Sequence, residues 1–132
     1  MKIQILFFCF LFFLTGKISA QDSSKISLSF KEISHDFGTI KINNTVKYIF
    51  NFTNTGTDTI KNITFETQCG CTTPLWKKHN VPPNNSDSIT VEFFPRNVYG
   101  DFEKYIDIYI NGNEKSFYSL KVSGISDVIY RH

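Results

Sequence analysis

Two cysteines separated by a single glycine carry the most reactive side chains of this chain. Cys69, Gly70 and Cys71 begin a segment that continues with Thr72, Thr73, Pro74, Leu75 and Trp76. Paired thiols can form a disulfide, exchange it with another thiol pair, or bind a soft metal ion. A disulfide across one residue closes a very small ring. We therefore expect Gly70 to adopt an unusual backbone angle, which glycine tolerates at little steric cost.

The chemical role of this cysteine pair stays open between a structural disulfide, thiol exchange and metal binding. A structural zinc site needs four ligands from Cys, His or carboxylate groups, whereas copper(I) accepts two thiolates. The residues that could hold a metal ion are Cys69, Cys71 and His79. These three ligands are one fewer than a structural zinc site needs. We expect no metal and no other cofactor, and copper held by this set remains the alternative. The segment can also serve as a binding loop, with contacts from Gly70, Thr72, Thr73, Pro74 and Trp76.

A second candidate for chemistry is His35, which is followed directly by Asp36. A carboxylate can orient a catalytic imidazole, but catalysis also needs a nucleophile and an oxyanion pocket. The sequence contains neither a Gly-x-Ser-x-Gly elbow nor a His-Glu-x-x-His motif. We expect no enzymatic activity. The structural interpretation of this motif is that Phe37 fills the core while Gly38 permits a turn or bulge.

The first twenty residues have the pattern of a cleaved secretory signal. Lys2 precedes an apolar run of ten residues, 5–14, and Ser19-Ala20 offers a cleavage point. A membrane span needs about 20 apolar residues, so this run is too short to remain as one. We predict a helical signal peptide over residues 1–20, export to the periplasm or the extracellular space, and no stable membrane span after cleavage.

Charge excludes one class of partner. The predicted cleavage removes Lys2 and Lys17 and leaves equal numbers of acidic and basic residues. Nucleic-acid-binding domains usually show a basic stripe. The sequence has only the basic pair Lys77-Lys78, so we expect no nucleic-acid partner.

Alternation of apolar and polar residues predicts the fold, because a period of two is typical of half-buried strands. Five such stretches occur at residues 46–53, 62–66, 88–93, 105–110 and 117–122. Short strands near residues 26–30 and 37–40 bring the total to about seven. Turn-forming residues separate them, including Asn54–Asp58 and Asn111-Gly112-Asn113.

This pattern favours an all-β fold, a single antiparallel sandwich of immunoglobulin type. We predict the domain over residues 26–127, with a polar lead at 21–25 and a C-terminal tail at 128–132. Trp76 follows both cysteines, so the Cys…Trp…Cys pattern of antibody domains is missing. The indole is instead predicted to cover one end of the sandwich.

Several side chains outside the cysteine segment are candidates for contact or modification. Four aromatic residues fall on the outward phase of their strands and would form a partner surface if uncovered: Phe94, Tyr105, Tyr109 and Phe117. Thr59 and Ser88 each follow Asp and precede Ile, the acceptor pattern of a bacterial O-glycosylation system. Both are candidate O-glycosylation sites, and chance occurrence of this short pattern is the alternative.

The order of motifs along the chain resembles a known family. His35-Asp36-Phe37-Gly38, then Phe50 to Gly56, then Cys69 to Pro74 with Trp76, is similar to the exported bacterial domain-of-unknown-function family 1573. The departure is at residues 82–88, where Pro82-Pro83 begins a loop in place of the glycine-rich turn usual there. The resemblance implies an immunoglobulin-like sandwich related to ASH domains. It implies no enzyme activity and brings no catalytic residues.

The sequence therefore predicts an exported, non-enzymatic immunoglobulin-like module. Its role would be to bind an unknown protein or glycan, or to form a structural part of the bacterial envelope. Recognition is expected in the segment from Cys69 to Trp76 and in the neighbouring turn Asn54–Asp58, since loops of such folds carry binding. The alternative is a thiol-redox or copper-handling protein that uses Cys69 and Cys71.

Overall fold

The computed structural model describes residues 26–127, which form strands and connecting turns. The strands are β1 Leu28–Phe30, β2 Ser34–Lys41, β3 Val46–Asn54, β4 Ile63–Thr67, β5 Thr72–Leu75, β6 Ser86–Phe93, β7 Gly100–Ile110 and β8 Asn113–Asp127. Within this range no helix has the length and apolar character to cross a bilayer. The predicted signal peptide, polar lead and C-terminal tail lie outside the described residues.

The strands form two sheets of four, in the orders β1-β3-β6-β5 and β2-β8-β7-β4, which we call the first and second sheet. This arrangement confirms the predicted all-β sandwich. The pairing of β2 with β8 is parallel, however, whereas we predicted antiparallel pairing throughout. No hairpin joins these two strands, which are far apart in sequence, so no tight turn imposes an antiparallel direction on them.

The structure has eight strands where the sequence predicted about seven. The additional strand is β5, which covers Thr72–Leu75 and pairs with β6. The sequence pattern predicts these residues as part of a loop. Their side chains show no clear alternation and include Pro74, so the pairing of their backbone with β6 was not visible in the sequence pattern.

The core lies between the two sheets and follows the predicted alternation. Phe50 and Phe52 of β3 face the second sheet, and both are almost fully buried. The main cluster also contains Ile89, Val91, Ile106, Ile108, Ile110, Leu120 and Val122. A smaller cluster of Ile40, Phe93 and Phe102 fills one end, where the rings of Phe93 and Phe102 stack with centroids 4.3 Å apart. Each buried side chain of this size contributes about 1.5–3 kcal/mol.

The His35-Asp36-Phe37-Gly38 motif forms a bulge in β2, as its structural interpretation predicted. The register with β8 shifts between Asp36 and Thr39, and Gly38 has φ of 66°. The Gly38 amide donates to Asp36 Oδ1 at 2.7 Å, so this carboxylate supports the bulge. Phe37 packs against both core clusters. The His35 ring stacks on Tyr48 with centroids 3.6 Å apart. These contacts give the motif a packing role.

Gly124 of β8 sits where two parts of the second sheet approach closely. A Cβ atom at this position would lie 2.7 Å from the carbonyl oxygen of Gly38 and 2.9 Å from Cζ of Phe102. Phe102 is the cross-strand partner of Gly124. A side chain here must therefore displace the bulge of β2 or the ring of Phe102.

We predict that Gly124→Ala lowers the free energy of unfolding by about 1–3 kcal/mol, because overpacking forces backbone or ring displacement. The control is Gly70→Ala, since a Cβ atom there meets no atom within 4 Å. The control should change stability by less than about 0.5 kcal/mol. Chemical denaturation of both variants measures the difference. Equal stabilities for the two variants would contradict this account of Gly124.

Candidate functional site

The predicted site, Cys69 to Trp76, runs along one edge of the first sheet. Its β5 portion pairs with β6 from Thr72 opposite Phe93 to Leu75 opposite Thr90. The cysteines precede this strand and Trp76 follows it, so they lie towards opposite ends of the sandwich. The segment therefore forms two separate structures, a disulfide corner and a tryptophan clasp.

The disulfide corner consists of Cys69, Gly70, Cys71 and Thr72, where the chain passes from β4 in the second sheet to β5 in the first. Cys69 and Cys71 are joined by a disulfide with Cα atoms 5.2 Å apart. Both sulfur atoms lie within 3.9 Å of Oγ1 of Thr72, which is buried. Cys71 also packs against the smaller core cluster. The corner thus fastens the crossing between sheets to the core.

The backbone of the disulfide corner differs from our expectation. Gly70 is not among the residues with a positive φ, so the predicted unusual glycine angle is wrong. Instead, the Thr72 amide donates to the Cys69 carbonyl at 3.4 Å, which closes a four-residue turn. Such a turn brings Cα atoms two residues apart closer than an extended strand does. The two sulfur atoms can therefore meet without a left-handed residue between them.

The tryptophan clasp consists of Trp76, His79 and Asp87. The indole packs against the main core, the covering role predicted for it, and its Nε1 donates to Asp87 Oδ2 at 2.8 Å. His79 Nε2 approaches the same carboxylate oxygen at 3.2 Å, and its ring stacks on the indole with centroids 5.6 Å apart. His79 Nδ1 lies 2.6 Å from the Lys77 carbonyl oxygen. These contacts hold residues 76–79 against the start of β6.

The alternative metal set of Cys69, Cys71 and His79 does not assemble. Cys71 accepts a hydrogen bond from the amide of Phe94, just beyond the end of β6, whereas His79 contacts Asp87 near its start. At about 3.3 Å per residue, these ends are roughly 20 Å apart. Within residues 26–127 no three His, Cys, Asp or Glu side chains are grouped to hold a metal ion. The described residues therefore give no support to this alternative.

The turn Asn54–Asp58 lies at the same end as the tryptophan clasp, so it neighbours only that half of the predicted site. Asn54 is fully buried, and its Nδ2 donates to the carbonyl oxygens of Asp58 and Val81 at 2.9 Å each. Its Oδ1 accepts from the Gly56 amide at 3.1 Å. One buried amide side chain therefore ties this turn to the loop before β6.

A groove that sequence reasoning missed lies beside the hairpin between β7 and β8. We call it the hairpin groove; it has a volume of about 550 Å³ and is lined by Thr64, Glu66, Tyr109, Gly112, Glu114 and Phe117. A second depression of about 760 Å³ meets it at Gly112 and is lined by Thr57, Asp58, Thr59, Lys61, Asn62 and Asn111. The two depressions extend from the outer face of the second sheet onto one end of the sandwich.

Asn111 gives this region a fixed shape. Asn111 and Gly112 have φ of 51° and 68°, as two-residue hairpin turns require. Asn111 Oδ1 accepts from the amides of Lys61 and Asn62 at 2.7 and 3.0 Å, and its Nδ2 donates to the Thr59 carbonyl at 3.1 Å. The sequence indicated the hairpin, but no pattern indicated these bonds to residues 50 positions away.

The aromatic rings of the hairpin groove lie among carboxylates. Tyr109 and Phe117 are cross-strand partners with ring centroids 5.5 Å apart. The Tyr109 hydroxyl donates to Glu66 Oε2 at 3.2 Å. Partial desolvation raises the pKa of Tyr109, and the hydrogen bond to Glu66 and the negative charges of Asp107 and Glu114 raise it further. The phenol therefore stays protonated beyond its ordinary range.

The outward aromatic residues are exposed to different extents and in different places. Phe117, Tyr105 and Phe94 are 48%, 39% and 36% exposed, as their strand phase predicted, whereas Tyr109 is half-buried. Phe94 lies apart from the others, beyond the end of β6, with the guanidinium of Arg96 over its ring at 5.8 Å. Tyr105, Tyr109 and Phe117 share the outer face of the second sheet.

The two predicted O-glycosylation sites occupy different surroundings. Thr59 is partly exposed and lines the second depression, near the hairpin. Ser88 is partly exposed on the outer face of β6, opposite Asn51. Asp87, which precedes Ser88 in its acceptor pattern, is held in the tryptophan clasp. Modification of both residues stays a prediction.

We predict that Cys69→Ser with Cys71→Ser lowers the free energy of unfolding by roughly 1–2 kcal/mol and leaves the fold intact. Loss of the cross-link frees only a very short loop, so the entropic change is small. Chemical denaturation and a far-ultraviolet spectrum check both parts. Reduced wild-type protein should show the same loss, and a variant as stable as the oxidised wild type would contradict a structural role for the corner.

Comparisons with known proteins agree with this architecture. A search of curated proteins found no match. Among solved structures, the ASH/PapD-like domain 7 of human CEP192 is 14% identical with a TM-score of 0.63, covering 78% of this chain and 87% of that one. A Porphyromonas gingivalis W83 protein of unknown function is 15% identical with a TM-score of 0.64, covering 76% of this chain and 46% of that one.

A third similar structure is a family 123 glycoside hydrolase from Clostridium perfringens, at 9% identity and a TM-score of 0.63. The match covers 83% of this chain but only 28% of the hydrolase. At such low identities these likenesses show the fold alone. The family model described as "Protein of unknown function (DUF1573)" matches residues 28–125, and the chain belongs to that family.

Proposed function

We propose that the protein is an exported, non-enzymatic module that binds another component of the bacterial envelope. The observation that carries this proposal is the hairpin groove, an open surface with an exposed ring on a rigid pair of strands. Ile108 and Ile110 lie fully buried beneath it, so the sheet that presents the groove is anchored in the core. Rigid presentation favours binding, because less conformational freedom is lost on association.

The surroundings of the reactive side chains support a role without catalysis. Cys69 and Cys71 are joined in the disulfide corner. The His35 ring lies against Tyr48 and Phe37, and His79 is held by Asp87 and the Lys77 carbonyl. Each side chain with catalytic potential that the sequence indicated therefore has a structural contact. The disulfide corner gathers no further ligand for copper among the described residues.

Two of the solved structures with this fold belong to much longer chains, and at their low identity they show the fold alone. The chain spans 28% of the family 123 glycoside hydrolase and 24% of a secreted serine protease from Vibrio cholerae with which it shares its fold. An immunoglobulin-like fold alone does not determine function, so the proposal depends on the groove and on the predicted signal peptide.

The proposal predicts two measurable outcomes in a Gram-negative bacterium that expresses the full chain. The protein should appear outside the cytoplasm with Gln21 as its first residue, because Ser19-Ala20 provides the small residues that signal cleavage requires. Intact mass and cell fractionation check this outcome. Ala20→Arg is the control, since a large charged residue at the cleavage point should block processing.

The second outcome is saturable binding of the purified protein to isolated envelopes of cells that lack it. Heat-denatured protein serves as the control for non-specific adsorption. Full-length protein that stays in the cytoplasm with residues 1–20 still attached would overturn the export part of the proposal. Binding that rises linearly without saturation, equal for native and denatured protein, would overturn the binding part.

A further inference from the structure

We infer that the hairpin groove binds a lysine- or arginine-bearing segment of a partner protein. This inference rests on the proposed binding function and names the chemistry of its partner. Three features of the groove carry it: an exposed aromatic ring, carboxylates on either side of it, and a fixed backbone.

The first feature is the apolar surface of the groove. Phe117 of β8 is nearly half exposed, and its neighbour across the strands is Tyr109 of β7. Thr64 of β4 continues this row on the other side of Tyr109. The row therefore crosses three adjacent strands and presents ring surface flanked by a small polar side chain. An exposed aromatic surface in a groove is a common feature of interaction sites.

The second feature is the negative charge around these rings. Glu66 and Asp107 form the adjacent cross-strand row, and Glu114 lies at the turn end of β8. All three carboxylates raise the pKa of Tyr109. Farther along the face, the ammonium of Lys121 is paired with Glu103 at 3.1 Å. Lys121 is therefore engaged away from the groove and does not offset its carboxylates directly.

Together these groups fit a cation better than a sugar. Ammonium and guanidinium groups gain both from carboxylates and from the faces of aromatic rings. A neutral glycan gains nothing from the net negative charge. The rings of Tyr109 and Phe117 are inclined at 50°, so they do not form a flat stacking platform. Charge complementarity therefore selects a basic protein segment as the occupant.

The third feature is the backbone that holds the groove. Asn111 fastens the hairpin to residues 59–62 through three hydrogen bonds. The Asn111 amide also donates to the Asn62 carbonyl at 2.9 Å. The turn at the mouth of the groove is thus fixed before any partner arrives, which lowers the entropic cost of binding.

The test uses the full chain as cells produce it, labelled with nitrogen-15, and a synthetic peptide of alternating lysine, arginine and glycine. The matched probe replaces each basic residue with glutamine. We expect the basic peptide to shift the amide resonances of Thr64, Glu66, Tyr109 and Phe117, and the glutamine peptide to leave them in place. Raising the salt concentration from 50 to 300 mM should weaken binding at least about ten-fold, because exposed charges are screened.

Two variants locate the site. Glu66→Gln with Glu114→Gln keeps the side-chain shapes, removes two charges, and should weaken peptide binding at least about ten-fold. Phe117→Ser tests the ring and should weaken binding as well. The matched control is Glu92→Gln, which removes a carboxylate from the outer face of the first sheet, where it pairs with Lys47 at 3.7 Å. The control should bind the peptide like the wild type.

Equal weakening in Glu92→Gln, or resonance shifts confined to another surface, would overturn the inference. The same holds if a neutral hexasaccharide shifts the groove resonances and the basic peptide does not, because the occupant would then be a glycan. If Glu66→Gln with Glu114→Gln binds envelopes like the wild type, the inference of a basic occupant fails, while saturable envelope binding and the proposed function stand. Absence of saturable envelope binding by the wild type would instead count against the proposed function.

Discussion

The structure depends on the burial of alternate side chains between the two sheets. In β6 and β7 every second residue along the central stretch is fully buried, including Ile89, Val91, Ile106 and Ile108. A shift of either strand by one residue would move this whole set to the solvent side, so the register is strongly determined. The positions of the corner, the clasp and the groove follow from that register.

The same constraint separates structural roles from binding roles. Side chains that point inward, or that close the ends of the sandwich, are committed to the fold; the disulfide corner and Asn54 belong to this group. Side chains on the outer face of the second sheet are not part of the core and do not close the ends of the sandwich. Tyr109, Phe117 and their neighbouring carboxylates are held there by strands whose inner faces are buried. This is why we place recognition on that face.

Much of the fold could be predicted because strand alternation is a local property. The strands around Phe50, Ile89, Ile108 and Leu120 were recognised from it, as was the Asn111-Gly112 hairpin. Features created by pairing between distant segments were not: the strand β5, the parallel pairing of β2 with β8, and the contact of Tyr109 with Glu66. The prediction of an unusual backbone angle at Gly70 was wrong because the size of the disulfide ring alone does not determine the backbone angles of the turn.

The central claim is that the two sheets form one cooperative unit around a shared core, which holds the groove rigid. Native-state hydrogen exchange tests it most directly, through the amides of Val91 in β6 and Ile108 in β7. Both strands are flanked on two sides in their sheets. We predict that both amides exchange only through global unfolding, with the same opening free energy. A clearly lower opening free energy for Ile108 would show that the second sheet opens separately, and would contradict the account.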